Sequence, residues 1–167
     1  MCGICGVLAK EIKEDHASLV ENMKNVLVHR GPDGEGTLKG QSYIFGHRRL
    51  SIIDVAHGAQ PMQSDDGRYA LTYNGEIYNY IELRRELKAE GVVFRTDSDT
   101  EVLLKLLIKY GVKALQKLLG MYAFAFHDAE AGKTILARDE FGIKPLYYFA
   151  APNGDLVFAS EIKALLQ

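Results

Sequence analysis

The chain has 167 residues, 47% of them hydrophobic and 25% charged, with 20 basic and 22 acidic side chains and a net charge of −2. That length suffices for one domain with its own core, and the even mixture of charges offers no basic footprint for nucleic acid. No uninterrupted apolar stretch is long enough to cross a bilayer, so no membrane role is expected.

In chain order, residues 3–9 read as a short buried strand, and 16–28 as a helix with Leu19, Met23, Val26 and Leu27 at helical spacing. The run His29-Arg30-Gly31-Pro32-Asp33-Gly34-Glu35-Gly36 is dense in turn formers and ends that helix. Short β-prone runs follow at 43–46, 50–54 and 68–73, separated by loops that suggest an antiparallel sheet. Helices are predicted at 80–90, stopped by Gly91, and at 100–110, stopped by Gly111, with Asp97, Ser98 and Asp99 as N-cap candidates; a further helix is predicted at 112–118. Residues 121–127, nearly all apolar or aromatic, predict a strand buried on both faces, and a turn at 128–132 leads into a strand at 133–138. A second hairpin is predicted from 146–150 and 156–159, joined through Pro152-Asn153-Gly154. Strands at both ends with helices between them give an α+β domain.

Cys2 carries the chemistry. Removal of Met1 gives a chain that begins with a thiol and a free α-amine on one residue, a nucleophile with its own base. An α-amine titrates at about 7.7–8.0 and a cysteine at about 8.5, so near neutral pH the amine can take the thiol proton and later return it to a leaving group. Cys2 and Cys5 lie along one apparent strand at a spacing unsuited to a disulfide, which with the absence of an apolar leader points to a reducing, cytoplasmic setting. Asn74-Gly75 pairs a side-chain amide with an unobstructed backbone N–H, the donor pair an oxyanion hole needs, although Asn-Gly is equally the commonest hairpin signal. Arg48 and Arg49 offer a guanidinium suited to a carboxylate, or simply a solvated pair. Asp99, near a predicted helix start, suits an ammonium group or a helix cap. His16, His47, His57 and His127 show no metal spacing with the cysteines, and no metal site is expected.

Together, the segments at 1–6, 29–33, 47–51, 73–79, 98–99 and 138–148 resemble the class II glutamine amidotransferase domain in order and spacing, and within it the glutaminase half of asparagine synthetases. The resemblance covers essentially the whole chain. It implies the N-terminal nucleophile hydrolase fold, a four-layer αββα sandwich of two mostly antiparallel sheets. It also implies that Cys2 attacks the side-chain amide of L-glutamine, that Asn74 and the Gly75 N–H bind the oxyanion, and that Arg49 takes the α-carboxylate. Asp99 and Glu76 are implied to hold the α-ammonium side, with the backbone of Leu50, Ser51, Ile52 and Ile53 lining the pocket. Residues 52–61 resemble a lid hinged at Gly58. Residues 138–148 are read as a turn without catalytic groups, near the face where ammonia leaves, and His29 as part of a structural loop.

The resemblance implies no cofactor in this domain. ATP and Mg belong to an ammonia-accepting synthetase domain or subunit, whose Ser-Gly-Gly-x-Asp-Ser loop is absent from these residues. A homo-oligomer is left open. The alternatives are the glutaminase half of an amidophosphoribosyltransferase or hexosamine-phosphate synthase, and, if Met1 is retained, a non-catalytic glutamine-binding or docking domain.

Overall fold

The computed structural model describes residues 1–51, 54 and 58–167. Its elements in chain order are β1 (Gly3–Leu8), α1 (Glu14–Val26), β2 (Gly34–Lys39), β3 (Tyr43–Arg49), β4 (Met62–Gln63), β5 (Tyr69–Ile77), α2 (Tyr80–Ala89), α3 (Asp99–Tyr110), β6 (Gly120–Asp128), β7 (Lys133–Arg138), β8 (Tyr147–Ala150), β9 (Leu156–Ala159) and α4 (Ile162–Leu165). The strands form two antiparallel sheets, ordered β2-β3-β1-β9-β8 and β4-β5-β6-β7.

Period-two alternation along the central strands divides the apolar residues among three cores. Ile4 of β1, Phe45 of β3, Ala70 of β5, Ala123 and Ala125 of β6 and Phe158 of β9 meet between the sheets. Cys5 and Val7, the odd positions of β1, face outward onto Val20, Met23 and Leu27 of the α1 segment. On the far side, Leu71, Tyr73 and Ile77 of β5 pack against Leu83 and Leu87 of α2 and the apolar face of α3. Three cores between four layers are the αββα sandwich. β1 and β6 lie inside their sheets and are buried on both faces, which is why their sequences run apolar without a break.

Several expectations change in detail. The turn-rich run at 29–36 holds a 3-10 turn (Val28–Arg30) and then enters β2 at Gly34. Gly36 is there for close approach, since a Cβ would lie 2.1 Å from the Gln60 carbonyl oxygen. The run expected at 50–54 is not a strand at Leu50 or Ser51, because β3 extends to Arg49 and the chain then leaves the sheet; Ile52 and Ile53 lie outside the described residues. The segment expected as a helix at 112–118 is a 3-10 helix (Gly111–Lys117). Asn74-Gly75 is not a hairpin turn: β5 runs through both, paired with Ala123 and Tyr122 of β6. The short strand β4 and helix α4 are elements that the sequence pattern does not announce.

Candidate active site

A cleft of about 200 Å³ opens where β1, β3, β5 and the start of α3 converge. It is lined by Cys2, Arg49, Leu50, Tyr73, Asn74, Gly75, Glu76 and Asp99, together with Met1, Gly58, Gln60, Thr100, Met121 and Lys144. Cys2 lies one residue ahead of β1. Its Sγ donates to the Leu50 carbonyl (3.6 Å) and accepts from the Leu50 N–H (3.4 Å), so the backbone after β3 seats the thiol. Burial raises the thiol's pKa, against the opposing pull of the Leu50 N–H, the amino terminus, Arg49 and Arg30. A raised value keeps the thiol protonated at neutral pH, and nucleophilic attack then requires a base.

Asn74 is 1% exposed, and its side-chain nitrogen has no hydrogen-bond partner. Buried donors are almost always paired, so a bare amide in a cleft is a site awaiting an acceptor. Gly75 follows on the same strand; a Cβ there would lie 2.4 Å from the Met121 carbonyl oxygen and 2.8 Å from the Tyr122 Cα. Only glycine fits beside β6 at this register, which leaves its backbone unobstructed from that position.

Strand alternation separates the two arginines. Arg48 turns to the α1 side, where it donates to the Lys24 carbonyl, to Asn25 and to Glu35. Arg49 turns to the cleft and donates to the Asp54 carbonyl oxygen at 2.7 Å, while the Asp54 carboxylate accepts from the Asp97 N–H at 2.8 Å. Two residues back from Arg49, His47 is fully buried, and its Nδ1 lies 3.2 Å from Thr72 Oγ1 on the opposite sheet. Burial and then Arg49 depress its pKa to about 3, so this tie between β3 and β5 is a neutral one.

Asp99 is the first residue of α3, and the helix is capped by Ser98, which accepts from the Glu101 N–H. Capping is therefore not the work of Asp99. Its Oδ2 accepts from the Tyr73 hydroxyl (2.8 Å) and the Ile77 N–H (3.2 Å). Burial raises its pKa, and those two donors with the first N–H groups of the helix oppose the rise. The surrounding loop is fixed by Glu101, 2% exposed, which accepts from the Arg95 and Thr96 N–H groups and the Thr96 hydroxyl.

The His29–Asp33 run forms the frame. Arg30 donates from Nε to the Cys2 carbonyl and from Nη1 to Glu161, both at 2.9 Å, and Asp33 accepts from the Ser51 N–H at 2.8 Å. Partial burial works against the Glu161 carboxylate, but Arg30, His29 and Lys163 outweigh it and hold its pKa at about 2. On the other rim Asp139 organises the 139–144 turn, accepting from the Tyr122, Ile143 and Lys144 N–H groups. That turn delivers Lys144, 5% exposed, whose Nζ lies 3.3 Å from the Met1 sulfur.

Seven of the residues predicted for the site thus meet in one cleft: Cys2, Arg49, Leu50, Asn74, Gly75, Glu76 and Asp99. Ser51 does not line it, being turned to Asp33, and Ile52 and Ile53 lie outside the described residues, as do Val55, Ala56 and His57 of the expected lid. Tyr73, Gln60 and Lys144 are additions. Tyr73 stood within a recognisable motif, but its contact with Asp99 joins positions 26 apart and leaves no local signal. Of the segment read as a turn at 138–148, residues 139–146 leave the sheets while Arg138 ends β7 and Tyr147 and Tyr148 open β8, and this connection carries the buried Lys144 ammonium to the cleft. Among the described residues no cluster of His, Cys, Asp and Glu could hold a metal ion, and no helix is long and apolar enough to cross a membrane.

The whole sequence, residues 1–167, matches the family described as the glutamine amidotransferase domain. The chain belongs to the class II glutamine amidotransferases. Asparagine synthetase [glutamine-hydrolyzing] 1 of Bacillus subtilis (strain 168) is 48% identical over 169 residues, which cover 99% of this chain and 27% of that protein. Asparagine synthetase B [glutamine-hydrolyzing] of Escherichia coli (strain K12) is 41% identical, over 99% of this chain and 30% of that protein. The chain therefore spans less than a third of the length of these relatives. Among solved structures, the glutamine phosphoribosylpyrophosphate amidotransferase from B. subtilis, complexed with ADP and GMP, superposes with a TM-score of 0.80 at 27% identity, over 98% of this chain and 43% of that one. The amidotransferase fold expected from the motifs is the fold observed.

Proposed function

We propose that this amidotransferase domain hydrolyses L-glutamine to glutamate and ammonia at Cys2 and supplies the ammonia to a synthetase domain or subunit, for asparagine synthesis. The observation that carries the reading is the buried, partnerless Asn74 amide in the cleft that holds the Cys2 thiol. Once Met1 is removed, the Cys2 α-amine takes the thiol proton and Sγ attacks the side-chain amide carbon of glutamine. Asn74 Nδ2 and the Gly75 N–H receive the oxyanion. The tetrahedral intermediate collapses as the amine returns the proton to the departing nitrogen; ammonia leaves and a γ-glutamyl thioester remains. Water then attacks the thioester, giving up a proton to the amine, and glutamate departs as the thiol is restored.

Arg49 holds the substrate's α-carboxylate, while Asp99 and Glu76 hold its α-ammonium group. Fixing both ends of the zwitterion aims the amide at sulfur, and positioning of this kind supplies up to about 7–11 kcal/mol of barrier lowering. The exposed apolar side chains Phe141, Ile143, Tyr148 and Phe149, on the segment that brings Lys144 to the cleft, support a face covered by the ammonia acceptor. Two free thiols and the charge balance fit a cytoplasmic location. The deciding assay is ammonia release from glutamine by the chain beginning at Cys2, with a folded Cys2→Ala variant beside it. Release that persists undiminished in Cys2→Ala excludes this mechanism.

A further inference from the structure

Asp99 is 5% exposed, and among the described residues no lysine, arginine or histidine pairs with it. A carboxylate taken this far from water without a countercharge is costly unless something else stabilises its ionised form. The direct side-chain donor is Tyr73. Its ring is 2% exposed, packed on the α3 side of β5, and its hydroxyl reaches the Asp99 carboxylate at 2.8 Å. The Ile77 N–H reaches the same oxygen, Oδ2, at 3.2 Å. Both donors are neutral. An arginine or lysine in place of Tyr73 would cancel the negative charge, whereas a phenol steadies the carboxylate and leaves that charge to attract a cation from the cleft.

We propose that Tyr73 is the positioning residue of the ammonium subsite, its hydroxyl orienting Asp99 so that the carboxylate receives the α-ammonium group of an amino-acid substrate. The inference rests on the proposed reading of Asp99 as the ammonium anchor. It assigns Tyr73, which lines the cleft together with Asp99, Glu76 and Cys2, to selection of α-amino acids over the same carbon chain without the amine. Burial and the neighbouring Asp99 charge raise the phenol's own pKa well above its ordinary value, so Tyr73 remains a donor at neutral pH.

Tyr73→Phe keeps the buried ring and removes only the hydroxyl. A hydrogen bond to a charged group is a strong one, so its loss should raise KM for glutamine about tenfold or more while kcat changes less than about threefold. The discriminating measurement is calorimetric binding of two ligands that are not turned over, L-glutamate and glutarate, to the processed chain and to Tyr73→Phe. The expected result is at least about tenfold weaker binding of L-glutamate with glutarate unchanged, since glutarate lacks the ammonium group. Equal weakening of both ligands, or unchanged binding of both, overturns the assignment. Because these ligands bind without chemistry, a processed chain that binds L-glutamate selectively yet releases no ammonia refutes the proposed hydrolysis and leaves Tyr73 in place.

Discussion

Replacing Asn74 by alanine should move activity and stability in opposite directions, or at least uncouple them. The side-chain nitrogen is buried without a partner, and leaving a buried donor unsatisfied costs about 1–3 kcal/mol. Asn74→Ala removes that cost and introduces a small void, whose penalty is on the order of 1 kcal/mol for about a methyl group's worth of space. The two terms nearly cancel, so the midpoint of chemical denaturation should stay within about 1 kcal/mol of the parent value, or rise. Turnover follows a different term. The loss of one oxyanion donor removes about 2.7–4 kcal/mol of transition-state stabilisation, and kcat should fall about 10²–10³-fold with KM little changed.

The assay is ammonia release by the chain beginning at Cys2, with urea denaturation of the same two preparations. If Asn74→Ala is destabilised by several kcal/mol and its activity tracks the folded fraction, Asn74 is a structural residue. If only KM rises, the amide contacts the ground state, and the oxyanion assignment is wrong.

Arg49→Ala should raise KM for glutamine far more than it lowers kcat, because it removes the cation that complements the α-carboxylate; an unchanged KM in steady-state kinetics would contradict this. A preparation that retains Met1, confirmed by intact mass, should be inactive yet as stable as the processed one: Met1 lines the cleft beside Cys2, and its peptide bond turns the Cys2 amine into an amide that accepts no proton. Equal turnover by the two forms would remove the amine as base. Cys5→Ala should leave turnover within a few-fold, since Cys5 faces α1 and burial pushes its thiol up to about 12. His47 is neutral when folded, with a pKa of about 3 against about 6.5 unfolded, so its contribution is complete above pH 6.5 and is lost as pH falls towards 3. Between pH 6 and 5 the stability of His47→Asn should therefore depend on pH less steeply, by up to about 1.4 kcal/mol per unit, and parallel urea titrations with identical slopes would refute the burial argument.

Much of this was legible in the sequence because it is local. Cys2 is identified by its position behind Met1, β6 by an unbroken apolar run, and the divergence of Arg48 and Arg49 follows from strand alternation once β3 is known to continue. What escaped was set by close approach or by distant partners. Gly34 and Gly36 read as turn residues, yet Gly36 is a strand residue pressed against the Gln60 carbonyl. Gln60 itself supplies Oε1 to the Tyr73 N–H at 2.8 Å, a side chain serving a strand's backbone in a way that no periodicity announces. Lys144 belongs to a turn whose shape is legible but whose buried end meets Met1, 143 positions away.

The cost of burying polar groups separates the frame of this domain from its site. Arg30 with Glu161, Ser98 with Glu101, and Asp139 with its three N–H donors are held by protein partners, and their work is to fix backbone. Among the described residues four buried side-chain atoms lack a partner, on Arg30, His47, Asn74 and Arg84, and of these residues only Asn74 lines the cleft. The Asp99 carboxylate, held by neutral donors and, among the described residues, paired with no cation, borders that same space. An open donor, a protonated thiol and an anion held by neutral donors, all lining one cleft, are complementary to a carbonyl oxygen and an ammonium group. Glutamine carries both groups on one molecule, and a ligand lacking either would leave one of these buried groups unmatched.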